Sequence, residues 1–237
     1  MDLSYGVLAV GLAWYIVFVV STSFHEAAHA LAAWKLGDST AYHGGQVTLN
    51  PLPHIQREPV GMLVVPAVSY LLGGFLIGWA SAPYDPSWAR RYPRRAALMA
   101  AAGPAANLLL VLVSGLLIRA GVGAGVFEAP ERMQSITEFV GGAEGFTGGL
   151  AAVLSLFFLL NLLLAVFNLL PLPPLDGSAV AMLLLPASAA RKYQELLSEP
   201  VFSLLGIVVA WKLFAELSVF PKLLRLALRL MYPDVWM

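Results

Sequence analysis

Long apolar runs, separated by short polar stretches, restrict the folds open to this chain more than any other feature of its sequence. The first run begins at Leu3 and has no Asp, Glu, Lys or Arg before Glu26, about the length that crosses a bilayer as a helix. Only 12% of the residues are charged, whereas a soluble domain has about 25%. Further apolar segments cover 60–83, 96–118, 146–170 and 201–220. We therefore predict an all-α polytopic membrane protein with four to six transmembrane or re-entrant helices.

The same composition bounds the domain organisation and the chemistry. We expect one membrane-embedded domain over 1–237, with a core at 5–186 and an additional helix and amphipathic segment at 187–237. The N-terminus lacks a basic region and a small-residue cleavage site, so the first helix is expected to stay in the membrane. A net charge of zero gives no reason to expect a nucleic acid partner. Cysteine is absent, so any metal must be bound by nitrogen and oxygen.

A His-Glu-x-x-His motif lies at the end of the first apolar run. On a helix, His25 and His29 share one face and can bind one metal, while Glu26 can accept a proton from water. Ionisable side chains at membrane depth cost about 2.5–3.5 kcal/mol and usually face the interior of a helix bundle. The next charged residue after the motif is Lys35, which lies about 9 Å beyond His29 along the helix axis. We favour a metal site; the alternative is that these side chains only form hydrogen bonds at the wet end of the helix.

Charged residues predict the orientation of the segments. An arginine cluster at 90–95 marks the cytoplasmic side, and the acidic loop at 119–145 fits the opposite side. This arrangement returns Asp176 to the side on which the first helix ends. The segment 60–83 is interrupted by Pro66 and a glycine pair, which predicts a re-entrant loop that turns near Gly73-Gly74. The alternative is a plain fifth crossing.

A catalytic zinc site takes three protein ligands and leaves a fourth position for water. The candidates for the third ligand are His43, His54 and Asp176. His43 and His54 lie in a polar stretch, where each is expected to be exposed or to cap a helix. Asp176 is favoured because it is the only acidic residue between Gly145 and Arg191 and follows a proline-rich break. It can also act as the N-cap of the helix that follows.

Three motifs resemble the signatures of the site-2 protease family of intramembrane zinc metalloproteases, in its short prokaryotic type without a PDZ domain. In chain order they are His25-Glu26-Ala27-Ala28-His29, Gly103-Pro104-Ala105-Ala106-Asn107 and Asn168-Leu169-Leu170-Pro171-Leu172-Pro173-Pro174-Leu175-Asp176-Gly177. The resemblance implies one Zn²⁺ per chain bound by His25, His29 and Asp176, with Glu26 as the general base.

The resemblance also implies where a substrate binds. Asn168 is expected to contact its backbone, and Asn107 to lie near the active centre. The segment 45–54 resembles the stretch that follows the first motif, although Pro53 and Gln56 depart from similar sequences. Alternation over 46–49 predicts a small membrane-associated strand or hairpin, to which an unwound substrate can add as a further strand. The predicted substrate-binding residues are Asn168, Asn107, Gln46, Val47, Thr48, Leu49 and Asn50.

The function implied by the resemblance is hydrolysis of peptide bonds in or near the transmembrane segments of membrane proteins. The partners are then a transmembrane protein or peptide substrate and the lipid bilayer. The expected location is a prokaryotic cell (inner) membrane, with the active site toward the cytoplasm. The alternative is a non-proteolytic membrane metal-binding or transport protein. A transporter would need a second polar cluster along a pathway, and the sequence contains no such cluster.

Overall fold

The computed structural model describes residues 5–130, 140–142, 145–197, 200–216 and 218–232, and these residues are largely helical. The elements follow in the order α1 (Tyr5–Lys35), α2 (Thr40–His43), α3 (Pro51–Arg57), a π-helical stretch (Val60–Val64), α4 (Val65–Gly73), α5 (Pro86–Arg91), α6 (Pro93–Gly123), β1 (Phe127–Glu128), β2 (Gly141–Gly142), α7 (Phe146–Asn168), α8 (Asp176–Val180), a 3₁₀ stretch (Ala181–Leu184), α9 (Ala187–Leu197), α10 (Pro200–Glu216) and α11 (Val219–Met231).

Three of these helices, α1, α6 and α7, are long and apolar enough to cross a membrane. Polar contacts pair 25–29 of α1 with 99–107 of α6 in reverse order, so these two helices run antiparallel. An apolar cluster that includes Val17 and Phe18 of α1 and Leu156 of α7 packs these two helices together, and Met62 of the π-helical stretch belongs to the same cluster. The chain is an integral membrane protein, and the predicted all-α polytopic fold is confirmed.

The segment 60–83 turns back on itself. Its helical arm ends at Gly74, whose φ of 71° lies in the left-handed region that favours glycine. The returning arm ends beside the residues that precede the helical arm, because Arg57 Nε donates to the Ser81 carbonyl over 3.1 Å and the Ser81 hydroxyl donates to Glu58. The segment therefore begins and ends at the same end of the bundle, as the re-entrant prediction requires, and the fifth crossing is wrong.

The predicted strand at 46–49 does not form, and this part of the prediction is wrong. The four residues form an irregular loop, and the described residues contain one small sheet, which pairs β1 with β2 beyond α6. Side chains take the place of a strand partner for the loop. Gln46 Nε2 donates to the Pro53 carbonyl over 3.0 Å, and His54 Nε2 donates to the Thr48 carbonyl over 2.9 Å. An alternating pattern this short does not separate such a loop from a strand.

Asp38 connects the end of α1 to the segment that leads into α6. Its carboxylate accepts from the backbone N–H and hydroxyl of Thr40 and, over 2.7 Å, from the backbone N–H of Asp85. Burial raises the pKa of Asp38, but these hydrogen bonds outweigh burial and hold the pKa below its ordinary value. Arg95 at the start of α6 also donates to the Leu36 carbonyl. These contacts fix the relative position of two of the three helices that form the site.

Candidate metal centre

Three side chains with metal-binding atoms meet where α1 and α6 pack against the start of α8. His25 and His29 are each 7% exposed, and their Nε2 atoms are 2.9 Å apart. Asp176 Oδ2 lies 3.1 Å from His25 Nε2 and 3.3 Å from His29 Nε2. The spacing of four residues on α1 explains the histidine pair. The carboxylate comes from a part of the chain more than half its length away.

A break after α7 brings Asp176 to the histidines. α7 ends at Asn168, and Pro171, Pro173 and Pro174 follow, which cannot continue a helix interior. Gly177 packs directly on the carbonyl groups of Leu169 and Leu170, where a Cβ atom would overlap both. The capping alternative for Asp176 is wrong, because the N-cap of α8 is Leu175 and no side chain caps this helix. The Asp176 carboxylate is thus left to face the histidine pair.

The hydrogen bonds of the histidine rings direct their free nitrogens toward this point. His29 Nδ1 lies 2.8 Å from the carbonyl oxygen of Met99. A carbonyl oxygen only accepts, so Nδ1 carries the ring proton and Nε2 presents a lone pair. His25 Nδ1 lies 2.6 Å from Asn107 Oδ1 in the same arrangement. Two ring lone pairs and a carboxylate oxygen therefore face one another.

The three donors fit a zinc ion. Asp176 Oδ2 is buried and has no hydrogen-bond partner among the described residues, a costly arrangement for a carboxylate unless a cation binds it. Tetrahedral zinc with bonds of about 2.0–2.2 Å separates its ligands by about 3.3–3.5 Å. The separations of 2.9, 3.1 and 3.3 Å in the structure are close to this range. Three protein ligands are typical of catalytic sites, where a fourth position stays open.

The backbone of α6 forms one wall of the centre at Gly103. A Cβ atom at this position would lie 2.5 Å from His25 Nε2 and would overlap His29 Nε2. The next residue, Pro104, lies inside the helix and contributes no backbone N–H. Glycine is therefore required at 103 by the space that the two rings occupy, although it costs a helix about 0.5–1 kcal/mol relative to alanine.

Gly103→Ala is expected to weaken zinc binding by more than about 100-fold, because the added methyl group displaces both nitrogen ligands. Loss of an outer partner of a ligand typically weakens binding by about 10–100-fold, and moving the ligands themselves is expected to cost more. Zinc affinity of the purified chain, measured by competition with a chelator, tests this. Gly123→Ala at the end of the same helix is the matched control, since a Cβ atom there meets nothing within 4 Å. A Gly103→Ala protein with the parent's affinity would contradict the arrangement described here.

Glu26 lies beside the three donors without being one of them. It is 5% exposed. It follows His25 directly on α1. A buried carboxylate beside a candidate metal centre is suited to accept a proton from water.

Two of the predicted substrate-binding residues have different surroundings. Asn107 is 0% exposed, and its amide is engaged by His25 on one side and by Asn161 on the other. The structure therefore surrounds Asn107 with protein groups, and its contact with a substrate stays a prediction. Asn168 is half-buried at the end of α7, where its Nδ2 donates to the Leu164 carbonyl.

The predicted loop residues differ in exposure. Gln46 is 4% exposed, Val47 and Thr48 are half-buried, and Leu49 is 56% exposed. Asn50 is exposed and caps α3, since its side chain accepts from the backbone N–H of Leu52.

The two other histidines lie outside the cluster of donors. His54 is 1% exposed, so the expectation of an exposed or capping histidine is wrong for it; His43 is exposed. Ser21 and Asn161 were not predicted as parts of the site; both are 0% exposed and are joined by a hydrogen bond of 2.9 Å. Each is a polar residue inside an apolar helix, and that feature was the available signal.

Comparison with known proteins agrees with this geometry. Residues 13–211 match the sequence profile of Peptidase family M50. The chain is 34% identical over 178 residues to a Bacillus subtilis (strain 168) protein named "Putative zinc metalloprotease YwhC". The aligned residues cover 75% of this chain and 71% of that protein. Rip2 of Mycolicibacterium smegmatis, described in the same words, is 31% identical over 160 residues, 68% of this chain and 52% of Rip2.

The same description is carried by Rip2 of Mycobacterium tuberculosis H37Rv, which is 30% identical over 162 residues. The chain thus spans about half the length of the Rip2 proteins, 52% and 53%. No solved structure matches the chain at a significant level. The profile match extends over most of the chain and includes all three candidate metal ligands. The chain therefore belongs to Peptidase family M50, the zinc metallopeptidases of the site-2 protease type.

Proposed function

We propose that this protein is an intramembrane zinc endopeptidase that hydrolyses peptide bonds in or near the transmembrane segments of other membrane proteins. The observation that carries the proposal is the place of the metal centre. Its two histidines lie within a candidate membrane span and are 7% exposed, among helices rather than on a water-exposed domain. A substrate that reaches this centre approaches through the bilayer or along its surface.

In this proposal His25, His29 and Asp176 hold one zinc ion per chain, and Glu26 is the general base. Zinc at this position supplies a Lewis acid, which polarises a carbonyl group and lowers the pKa of water toward about 7. Glu26 accepts the proton of the attacking water and transfers it to the nitrogen of the leaving amine. The two ring N–H groups remain bonded to Met99 and Asn107, so the imidazoles keep their orientation throughout.

The substrate is proposed to bind as an extended segment, because the carbonyl groups of a helix are hydrogen-bonded and shielded. The loop at 46–50 supports this. Among the described residues, the backbone groups of Val47 and Leu49 have no hydrogen-bond partner, so they are available to an added strand. The side-chain oxygen of Asn168, at the end of α7, is proposed to accept a hydrogen bond from a backbone N–H of the same substrate segment.

The metal centre is proposed to face the cytoplasm in a prokaryotic inner membrane. Arg90 and Arg91 directly precede α6, and Met99, which bonds His29, lies in its second turn. The basic end of the bundle and the metal centre therefore coincide, as the positive-inside rule requires for a cytoplasmic site. Residues 5–186 are proposed to form the catalytic core of one domain, to which 187–237 add peripheral helices.

The proposal is tested with purified chain in liposomes that also contain single-span membrane peptides. Cleavage near or within the span is expected, with abolition by a zinc chelator and recovery when zinc is restored. Mass spectrometry of the products locates the cut bonds. Zinc uptake into the liposomes without any peptide cleavage would instead support the transport alternative, although the described residues contain no cluster of metal donors other than His25, His29 and Asp176.

A further inference from the structure

A series of buried amide groups connects His25 to the interior of α7. Asn107 on α6 and Asn161 on α7 are both 0% exposed, and Asn107 Nδ2 donates to Asn161 Oδ1 over 2.8 Å. Asn161 Nδ2 in turn donates to the Phe157 carbonyl over 2.8 Å and to Ser21 Oγ over 2.9 Å. This amide relay joins all three long helices at the depth of the metal centre.

The Phe157 carbonyl sets the direction of every hydrogen bond in the amide relay. Because a carbonyl oxygen only accepts, Asn161 must present its amide nitrogen there and its amide oxygen to Asn107. Asn107 must then turn its nitrogen toward Asn161 and its oxygen toward His25. His25 Nδ1, 2.6 Å from that oxygen, therefore carries the ring proton, and Nε2 keeps its lone pair.

We propose that Asn161 is a positioning residue of the metal centre, which fixes the tautomer and ring orientation of His25 through Asn107. The inference rests on the metal site of the proposed function and adds a residue to it. Without Asn161, the Asn107 amide is free to turn over and present its N–H groups to Nδ1. The ring proton then moves to Nε2, where it blocks metal binding. Loss of an outer partner of a metal-binding histidine typically costs 10–100-fold in affinity or activity.

Aspartate at 161 preserves the direction of the amide relay, which leucine of similar size does not. In such apolar surroundings the carboxyl group is neutral. Its carbonyl oxygen accepts from Asn107, and its hydroxyl donates to the Phe157 carbonyl. The amide relay therefore predicts that Asn161→Asp retains the zinc affinity that Asn161→Leu loses. A role of Asn161 in packing alone predicts the same loss of zinc affinity in both variants.

The first test measures zinc affinity of the detergent-purified full chain by chelator competition, together with the visible spectrum of the Co²⁺-substituted protein. Asn161→Leu is expected to weaken zinc binding about 10–100-fold and to alter the Co²⁺ spectrum. Asn161→Asp is expected to retain the parent's affinity and spectrum. Ser114→Ala is the control, because this buried hydroxyl bonds only the carbonyl groups of Leu110 and Val111 in its own helix. Parent-like affinity in Asn161→Leu, or equal losses in both variants, would overturn the proposal.

The second test does not depend on whether the leucine variant folds. ¹⁵N NMR of the metal-free parent, labelled at histidine, is expected to show His25 protonated at Nδ1. His54 is the internal reference, since its Nε2 donates to the Thr48 carbonyl and so carries the proton. A His25 Nδ1 without a proton would overturn the amide relay. Failure of the parent to bind zinc would refute the proposed function. The NMR measurement on the metal-free protein would still determine the His25 tautomer, so the two proposals fail separately.

Discussion

Glu26→Gln is expected to leave zinc bound and to slow peptide cleavage by about 10²–10⁴-fold, the usual contribution of a general base. Glutamine keeps the shape of the side chain but has no basic oxygen to accept the proton of water. The carboxylate is 5% exposed and is not one of the three metal donors, so its loss removes a proton acceptor and no ligand. Metal analysis and a peptide cleavage assay on the same preparation measure the two effects.

Glu216→Gln is the control for removing a carboxylate elsewhere. Glu216 is exposed on α10 and pairs with Lys212 at 3.7 Å, a surface interaction worth little. This variant is expected to cleave peptides at the parent's rate. Undiminished cleavage by Glu26→Gln would show that another group accepts the proton.

Asp176→Asn is expected to lose zinc and cleavage together, each by more than about 100-fold, since removing a direct ligand exceeds the 10–100-fold cost of losing an outer partner. Asparagine keeps the size of the side chain but replaces the anionic oxygen, which lies 3.1 Å and 3.3 Å from the two Nε2 atoms, with a neutral amide. The measurements are bound zinc per chain and cleavage of a single-span peptide.

Asp85→Asn is the matched control for Asp176→Asn. Asp85 caps α5 by accepting from the backbone N–H of Ser87 over 2.8 Å, and asparagine caps a helix as well as aspartate does. The control is expected to retain zinc and cleavage. A full complement of zinc in Asp176→Asn would mean that a different side chain supplies the third ligand.

The sequence predicted those parts of the site that follow from local periodicity. His25 and His29 share a helix face because of their spacing, and Asp176 stands out as a lone carboxylate in apolar surroundings. The re-entrant turn near Gly74 was also predicted, since a glycine pair and a proline break an otherwise apolar segment. Each of these features is encoded within a few residues of where it occurs.

Features that depend on partners distant in the chain were not predicted. The strand at 46–49 was wrong because no neighbouring strand is within reach among the described residues, and side chains satisfy the loop instead. The hydrogen bond between Asn107 and Asn161 was not predicted, because the two residues lie on different helices and only the packed bundle brings them together. The burial of His54 likewise depends on the turn of the chain around Thr48.

The late position of Asp176 in the chain has a consequence for biogenesis. While the ribosome is still translating and the first helices are already in the membrane, the histidine pair exists without its carboxylate. On the proposed assignment of ligands, a nascent chain of this kind lacks the third zinc ligand. If Asp176 is the third ligand, as proposed, hydrolytic capacity arises only after the helix that precedes it has been synthesised, so the order of synthesis itself delays activation.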